Sequence, residues 1–176
     1  MFKKITPNNV LKYLDHVMNF QLNDLRKASI LATANFLVAI GCMGTIEFLG
    51  GISNEKIGKP ESKYVSCRFK DGVRLLKGEY ITPPLNEDIM YDLRNSLTHQ
   101  YLVTGGKKAN FRDVIIKNSW TDSRAVLKRK NRLTLNVAKL IIDLSIAWGI
   151  LREQLEKDGV KRANIARILN TLPILQ

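Results

Sequence analysis

Residues 86–103 read NEDIMYDLRNSLTHQYLV, and their apolar side chains recur at the spacing of an α-helix. At about 100° per residue, such a helix has one apolar face, which consists of Ile89, Met90, Leu93 and Leu97. The opposite face carries Asn95 and His99, which are four residues apart and lie on neighbouring turns. The segment therefore predicts an amphipathic helix, here called the motif helix, that packs into a helical core and presents polar side chains outward.

Similar periodicity predicts helices along most of the chain. One begins at about residue 10, and the others cover about residues 21–48, 61–76, 137–157 and 160–172. Gly50-Gly51 is typical of a helix end, and we expect it to stop the second helix. The length of 176 residues is enough for one domain with a sizeable core. We therefore predict a single, mostly helical domain over residues 1–176.

Residues 107–135, here called the flap, differ from the helical segments. Three short β-prone runs occur at residues 114–116, 125–127 and 133–135, with polar turn residues between the first two. We predict a small antiparallel hairpin or a three-stranded flap, inserted after the motif helix. Trp120 falls at the expected hairpin tip, where it could stack on a nucleic-acid base or pack against the turn.

The flap is also rich in positive charge. Asp113 and Asp122 oppose nine basic residues in this segment: Lys107, Lys108, Arg112, Lys117, Arg124, Lys128, Arg129, Lys130 and Arg132. Where apolar and basic residues alternate along a strand, the cations gather on one face of the sheet. Such a face is typical both of nucleic-acid binding and of a solvated outer surface.

The charge balance of the whole chain favours a polyanionic partner. The chain has 28 lysine and arginine residues against 16 aspartate and glutamate residues, which gives a formal net charge of +12. A strongly basic domain attracts polyanions through its summed field, and nucleic acid is the commonest such partner. The same charge also suits an acidic protein partner, or a basic protein that is merely soluble.

Cysteine, histidine and hydropathy patterns bear on cofactors and location. The two cysteines and two histidines show no paired ligand spacing, so we expect no disulfide framework, no metal site and no cofactor. Residues 30–46 are largely apolar but shorter than the roughly 20 residues of a membrane span, and they predict a core helix. The N-terminal residues lack the pattern of a secretory signal. We therefore expect a cytoplasmic protein without a membrane segment.

Arg94 and His99 are the residues of the motif helix best suited to catalysis. Histidine titrates near neutrality, and arginine is a permanent cation whose planar fork matches phosphate oxygens. Together they suit cleavage of RNA without a metal ion. The imidazole takes the proton of a 2′-hydroxyl that attacks phosphorus, and the guanidinium stabilises the charge on the phosphate oxygens. The lack of clustered carboxylates argues against a two-metal nuclease.

The order of residues in this segment resembles a known family signature. Arg94-Asn95-Ser96-Leu97-Thr98-His99 resembles the Arg-polar-x3-His motif of the HEPN superfamily (higher eukaryotes and prokaryotes nucleotide-binding domains). Tyr101 extends the likeness to the Arg-x4-His-x-Tyr form of HEPN toxins that pair with minimal nucleotidyltransferase antitoxins. The resemblance covers the motif helix and the general helical plan, whereas the basic flap exceeds the smallest HEPN toxins.

The resemblance implies an up-and-down bundle of four or five helices. In active members it also implies metal-independent endoribonuclease activity, as in toxins and phage-defence components, with Arg94 and His99 catalytic and Asn95 supporting them. The motif helix of that family lines a groove between two identical subunits, so the resemblance implies a homodimer. Tyr101 matches the tyrosine that a partner nucleotidyltransferase modifies with AMP. Other members are noncatalytic, and the alternative is therefore a HEPN-like nucleic-acid-binding or regulatory adaptor domain.

Overall fold

Helical patterns of apolar residues account for most of the observed architecture. The structure, a computed structural model, describes residues 4–31, 35–59, 61–99 and 113–172. This part of the chain forms six α-helices: α1 Val10–Leu31, α2 Asn35–Ser53, α3 Ser62–Leu76, α4 Glu87–His99, α5 Val137–Lys157 and α6 Gly159–Thr171. Between α4 and α5 lie three strands: β1 Asp113–Lys117, β2 Val126–Arg129 and β3 Arg132–Asn136. The prediction of a mostly helical fold with a small β flap is confirmed.

The core forms around α2. This helix packs against α1, α3, α4 and α5, and its side chains are buried along most of its length. Among the described residues, α2 is the one helix that is long and apolar enough to cross a membrane. Within the molecule, 56% of its apolar stretch is buried. The apolar sequence of α2 is thus accounted for by its central position, as predicted for a core helix.

Two predicted boundaries of the second helix are wrong. The segment over residues 21–48 is not one straight helix, since a methyl group on Gly41 of α2 would lie 2.5 Å from Leu25 Cδ2 of α1. In addition, α2 runs through Gly50-Gly51, the predicted stop, and ends at Ser53. The glycines are tolerated inside the helix because a neighbouring helix packs directly against them.

That neighbour is α3, which approaches α2 through a pair of glycines. A methyl group on Gly50 would lie 1.7 Å from the carbonyl oxygen of Arg68 in α3. A methyl group on Gly72 of α3 would lie 1.9 Å from the carbonyl oxygen of Ile46 in α2. Both distances are shorter than any real contact, so the two helices can reach this spacing only with glycine at both positions. The close approach brings Glu47 of α2 within reach of α3.

The sheet is mixed, with strand order β1-β3-β2. β2 and β3 form an antiparallel hairpin, whereas β1 pairs with β3 in parallel. The three-stranded alternative is therefore correct, but Trp120 lies between β1 and β2, which are not neighbours, and so is not at a hairpin tip. The buried Asn136 secures this connection, since its side-chain amide bonds to backbone groups of Ser119, Asp122 and Arg124. The turn residues between the strands do not predict that the chain returns to place β3 parallel to β1.

Candidate functional site

The helix α4 is the described part of the motif helix. Asn86 caps its first turn, since Asn86 Oδ1 accepts a hydrogen bond from the backbone N–H of Ile89 at 2.8 Å. The predicted apolar face is buried in the core, with all four side chains at most 9% exposed: Ile89, Met90, Leu93 and Leu97. Because this face packs into the core, Arg94 and Asn95, which follow Leu93 in the chain, lie half-buried at the edge of the core.

Arg94 is held in place by two side chains. Its Nη2 donates to Glu47 Oε2 of α2 at 3.0 Å, and its Nη1 donates to Asn95 Oδ1 at 3.1 Å. A guanidinium has five N–H donors, and within the described residues these two contacts are the hydrogen bonds that the Arg94 side chain makes. The side chain is 20% exposed. Arg94 is therefore oriented and still has donors that can bind an anion.

Glu47 is shared between Arg94 and a second arginine, Arg68 of α3. Glu47 Oε1 accepts from Arg68 Nη2 at 2.6 Å and from Arg68 Nε at 3.2 Å. The Nη1 of Arg68 donates to the backbone carbonyls of Lys56 and Lys59. Arg68 is 9% exposed, and these bonds are all directed into the protein. Arg68 thus acts as a structural arginine that joins α2, α3 and the loop between them.

The charges of Arg68 and Glu47 offset each other and leave Arg94 as an effective cation. The two guanidinium groups and one carboxylate carry a formal charge of +2 − 1 = +1. Because the trio is partly buried, salt screens it less than it screens ions in open solvent. A phosphate that reaches Arg94 therefore meets net positive charge and a preoriented fork of donors. The arrangement can bind a phosphodiester, while proton transfer requires a further group.

Replacing Glu47 tests this arrangement. Glu47→Gln is expected to lower the free energy of unfolding by about 1–2 kcal/mol, because the amide keeps an acceptor but leaves Arg68 without a counter-charge. Partial exposure of the carboxylate, 18%, keeps the loss below that of a fully buried pair. Urea unfolding measures the change. Glu153→Gln on α5 is the control, since Glu153 is exposed and forms no ion pair within the described residues; equal losses in both variants contradict the role of Glu47.

His99 is the last residue of α4, five residues after Arg94 and about one and a half helical turns further on. The side chain of His99 lies outside the described part of the structure, as do Tyr101, Lys107, Lys108 and Arg112. Of the residues predicted for the site, the structure brings Arg94 and Asn95 together. The roles of His99 and Tyr101 stay predictions.

The flap cations that the structure describes fall into two groups. Three approach carboxylates, with Lys117 at 3.0 Å and Arg124 at 3.9 Å from Asp122, and Arg132 at 3.9 Å from Asp113. The other three are exposed at the β2–β3 turn: Lys128, Arg129 and Lys130. The strand register places Arg129 beside Arg132 on one face of the sheet, whereas Lys128 pairs with Leu133 on the other. The expectation that all these cations share one face is therefore wrong.

Sequence reasoning did not identify Glu47 or Arg68. The available signal was Glu47 itself, a carboxylate that directly follows the apolar residues 30–46 and lies within α2. A charged residue on a core helix seldom lacks a partner. The identity of that partner is not a local property. Glu47 is 21 residues from Arg68 and 47 residues from Arg94 in the chain.

In the part of the chain that the structure covers, no group of three or more histidine, cysteine, aspartate or glutamate side chains could hold a metal ion. Comparisons of the chain with protein-family models, with curated proteins and with solved structures found no match. The likeness to the HEPN superfamily therefore rests on residues 94–101 and the helical plan, and it supports a proposal of function.

Proposed function

We propose that the protein is a cytoplasmic, metal-independent endoribonuclease of the HEPN type, acting as a toxin or a phage-defence component. The observation that carries the proposal is the environment of Arg94. Glu47 and Asn95 orient this arginine, donors are left for a phosphate, and the same helix carries His99. The net charge of +12 adds to the attraction of RNA.

The proposed reaction uses the ribose of the substrate as the nucleophile. His99 accepts the proton of a 2′-hydroxyl, whose oxygen forms a bond to the adjacent phosphorus. The bond from phosphorus to the 5′ oxygen of the next nucleotide breaks, and that oxygen takes a proton from solvent and leaves as a hydroxyl, while the protonated His99 returns its proton to solvent. Arg94 stabilises the charge on the nonbridging oxygens. The products are a 2′,3′-cyclic phosphate and a 5′-hydroxyl, and DNA, which lacks the nucleophile, is spared.

A homodimer completes the proposed site. One Arg94 and one His99 per chain make a sparse catalytic set, and two motif helices that face each other across a twofold axis double it. Light scattering at concentrations on the order of tens of micromolar is expected to give the mass of a dimer. A monomer over that whole range contradicts this part of the proposal.

Tyr101, two residues after His99, is the proposed position of modification by a nucleotidyltransferase antitoxin.

The activity is tested with a labelled single-stranded RNA and purified protein in excess EDTA. We expect cleavage to products that end in a 2′,3′-cyclic phosphate, and no cleavage of DNA of the same sequence. A single 2′-deoxy nucleotide at the cleaved position should block cleavage there. His99→Ala, purified in parallel and checked by circular dichroism, should be inactive. If His99→Ala cleaves as well as the wild type, the proposed role of the imidazole is refuted.

A noncatalytic nucleic-acid-binding or regulatory domain is the second candidate. The ion pair between Arg94 and Glu47 favours it, because an arginine in such a pair can also join α4 to α2 without taking part in chemistry. Binding of RNA that weakens steeply with salt, in a protein that never cleaves, would support this candidate. A stable complex with an acidic protein, together with little affinity for RNA, would indicate an adaptor instead.

A further inference from the structure

In the described part of the chain, cations without a carboxylate partner occur in several places, α1 and α6 among them, but three lysines meet at one aromatic ring. Carboxylates pair with six cations of α3, α4 and α5: Arg68, Lys70, Arg74, Arg94, Lys139 and Arg152. Lys59 and Lys63 have no such partner there, and both lie with Nζ 4.9 Å from the ring centroid of Tyr64. Lys56 Nζ is 5.9 Å from the same centroid. These four residues are here called the Tyr64 lysine cluster.

Three ammonium groups around one ring make a site that an anion would stabilise. Each contact with the ring is weak at an exposed position, while the like charges repel one another. Lys56 also donates to Cys67 Sγ at 3.2 Å, which raises the pKa of Lys56 and keeps it charged. The acidic residues that flank the cluster in sequence, Glu55 and Glu61, pair with none of its lysines in the described structure. Asp71, which lies beside Cys67, offsets part of the charge of Lys56. Lys59 and Lys63 form no ion pair with a carboxylate in the described part of the chain, and they are the two lysines that an anion would stabilise most.

The cluster is connected to Arg94 through the protein. The backbone carbonyls of Lys56 and Lys59 accept hydrogen bonds from Arg68, which in turn binds Glu47, the partner of Arg94. A cavity of about 320 Å³ lies along this connection. It is lined by Glu47 and Arg68 and by Ile57 and Gly58 of the loop that carries the lysines. The loop that carries Lys56 and Lys59 and the candidate site are thus joined by one chain of hydrogen bonds through Arg68 and Glu47.

We propose that the Tyr64 lysine cluster binds the phosphodiester backbone of single-stranded RNA, another phosphate of which lies at Arg94. The proposal rests on the nuclease function proposed above and names a part of its substrate-binding surface. A phosphodiester carries its charge on two nonbridging oxygens, so it can be shared by Lys59 and Lys63, which relieves their mutual repulsion. Contacts of this kind position a strand without reading its bases. In this arrangement the cluster, rather than the flap, is the main surface that holds the RNA strand.

The test measures binding separately from cleavage. Lys59→Gln/Lys63→Gln is made in the His99→Ala background, and the dissociation constant for a fluorescein-labelled RNA is measured by anisotropy over a range of salt concentrations. Loss of the phosphate contact that the two lysines share should reduce the slope of log K against log salt by about 0.7 and weaken binding by roughly fivefold near 0.1 M salt. The control is Lys12→Gln/Lys27→Gln, which removes the same charge from exposed positions of α1, a helix that packs against α2, α5 and α6.

The outcomes distinguish this proposal from the proposed function. A smaller salt slope in the cluster variant than in the α1 variant supports the cluster, provided that both unfold at the wild-type temperature. Equal slopes in the two variants overturn it, and RNA cleavage by the wild-type protein would then still support the nuclease. Conversely, a cluster-dependent slope in a protein that never cleaves RNA contradicts the nuclease and retains the cluster as an RNA-binding surface.

Discussion

Arg94→Lys is expected to slow RNA cleavage by at least about a hundredfold, which is the usual effect of removing one oriented donor from a site of developing negative charge. Lysine keeps the positive charge but lacks the planar fork that binds Glu47 and Asn95 while leaving donors for the phosphate. The loss should appear in the single-turnover rate at saturating RNA. The affinity for RNA should change much less, since the charge that attracts phosphate is retained.

Arg74→Lys provides the matched control for this prediction. Arg74 also bonds to two side chains, Asp71 of α3 and Glu87 of α4, but its side chain is 56% exposed. The same substitution there should leave cleavage at the wild-type rate. An Arg94→Lys protein that cleaves as fast as the wild type would show that the planar fork of Arg94 has no catalytic role. That result would refute the role of the fork and not the cleavage activity.

Gly50→Ala is expected to lower the free energy of unfolding by about 3 kcal/mol or more, at the upper end of the cost of overpacking a core. The new methyl group would lie 1.7 Å from the carbonyl oxygen of Arg68 and 2.5 Å from the backbone nitrogen of Gly72. Both atoms belong to the backbone of α3, so no side chain can rotate away, and the two helices must move apart. Because Glu47 and Arg68 lie on these helices, the movement should also disturb the contacts that orient Arg94.

Gly44→Ala is the control for this substitution on the same helix. No atom lies within 4 Å of a methyl group built on Gly44. Alanine in an open helical position should stabilise the protein by about 0.5–1 kcal/mol through its higher helix propensity. Urea unfolding of both variants measures the difference. If Gly50→Ala is as stable as the wild type, the close packing of α2 against α3 is incorrect.

Much of the helical structure could be predicted because its signal is local. The apolar period over residues 137–157 gives the bounds of α5, and the helix predicted over residues 61–76 differs from α3 by one residue at its start. The buried face of α4 was also predicted correctly, from four apolar residues. In each case, burial of one helical face requires the very periodicity that can be read from the chain.

Two of the failures, at Gly50-Gly51 and in the sheet, involve partners that are distant in sequence. Gly50-Gly51 has the local character of a helix end, and only the packing of α3 shows that the helix continues. The parallel pairing of β1 with β3 depends on a chain return held by Asn136, which no turn residue indicates. Backbone propensity describes what a segment can do alone, whereas these features depend on what packs against it.

The sequence by itself determined that the chain is mostly helical and strongly basic, and that Arg94, Asn95 and His99 lie on one helix, because these properties depend on composition and local period. Only the tertiary structure decided that Glu47 joins Arg94 to Arg68, and that three lysines meet at the ring of Tyr64. The physical reason is that a partly buried charge pairs with the opposite charge that lies near it once the helices have packed. Separation along the sequence does not predict that distance.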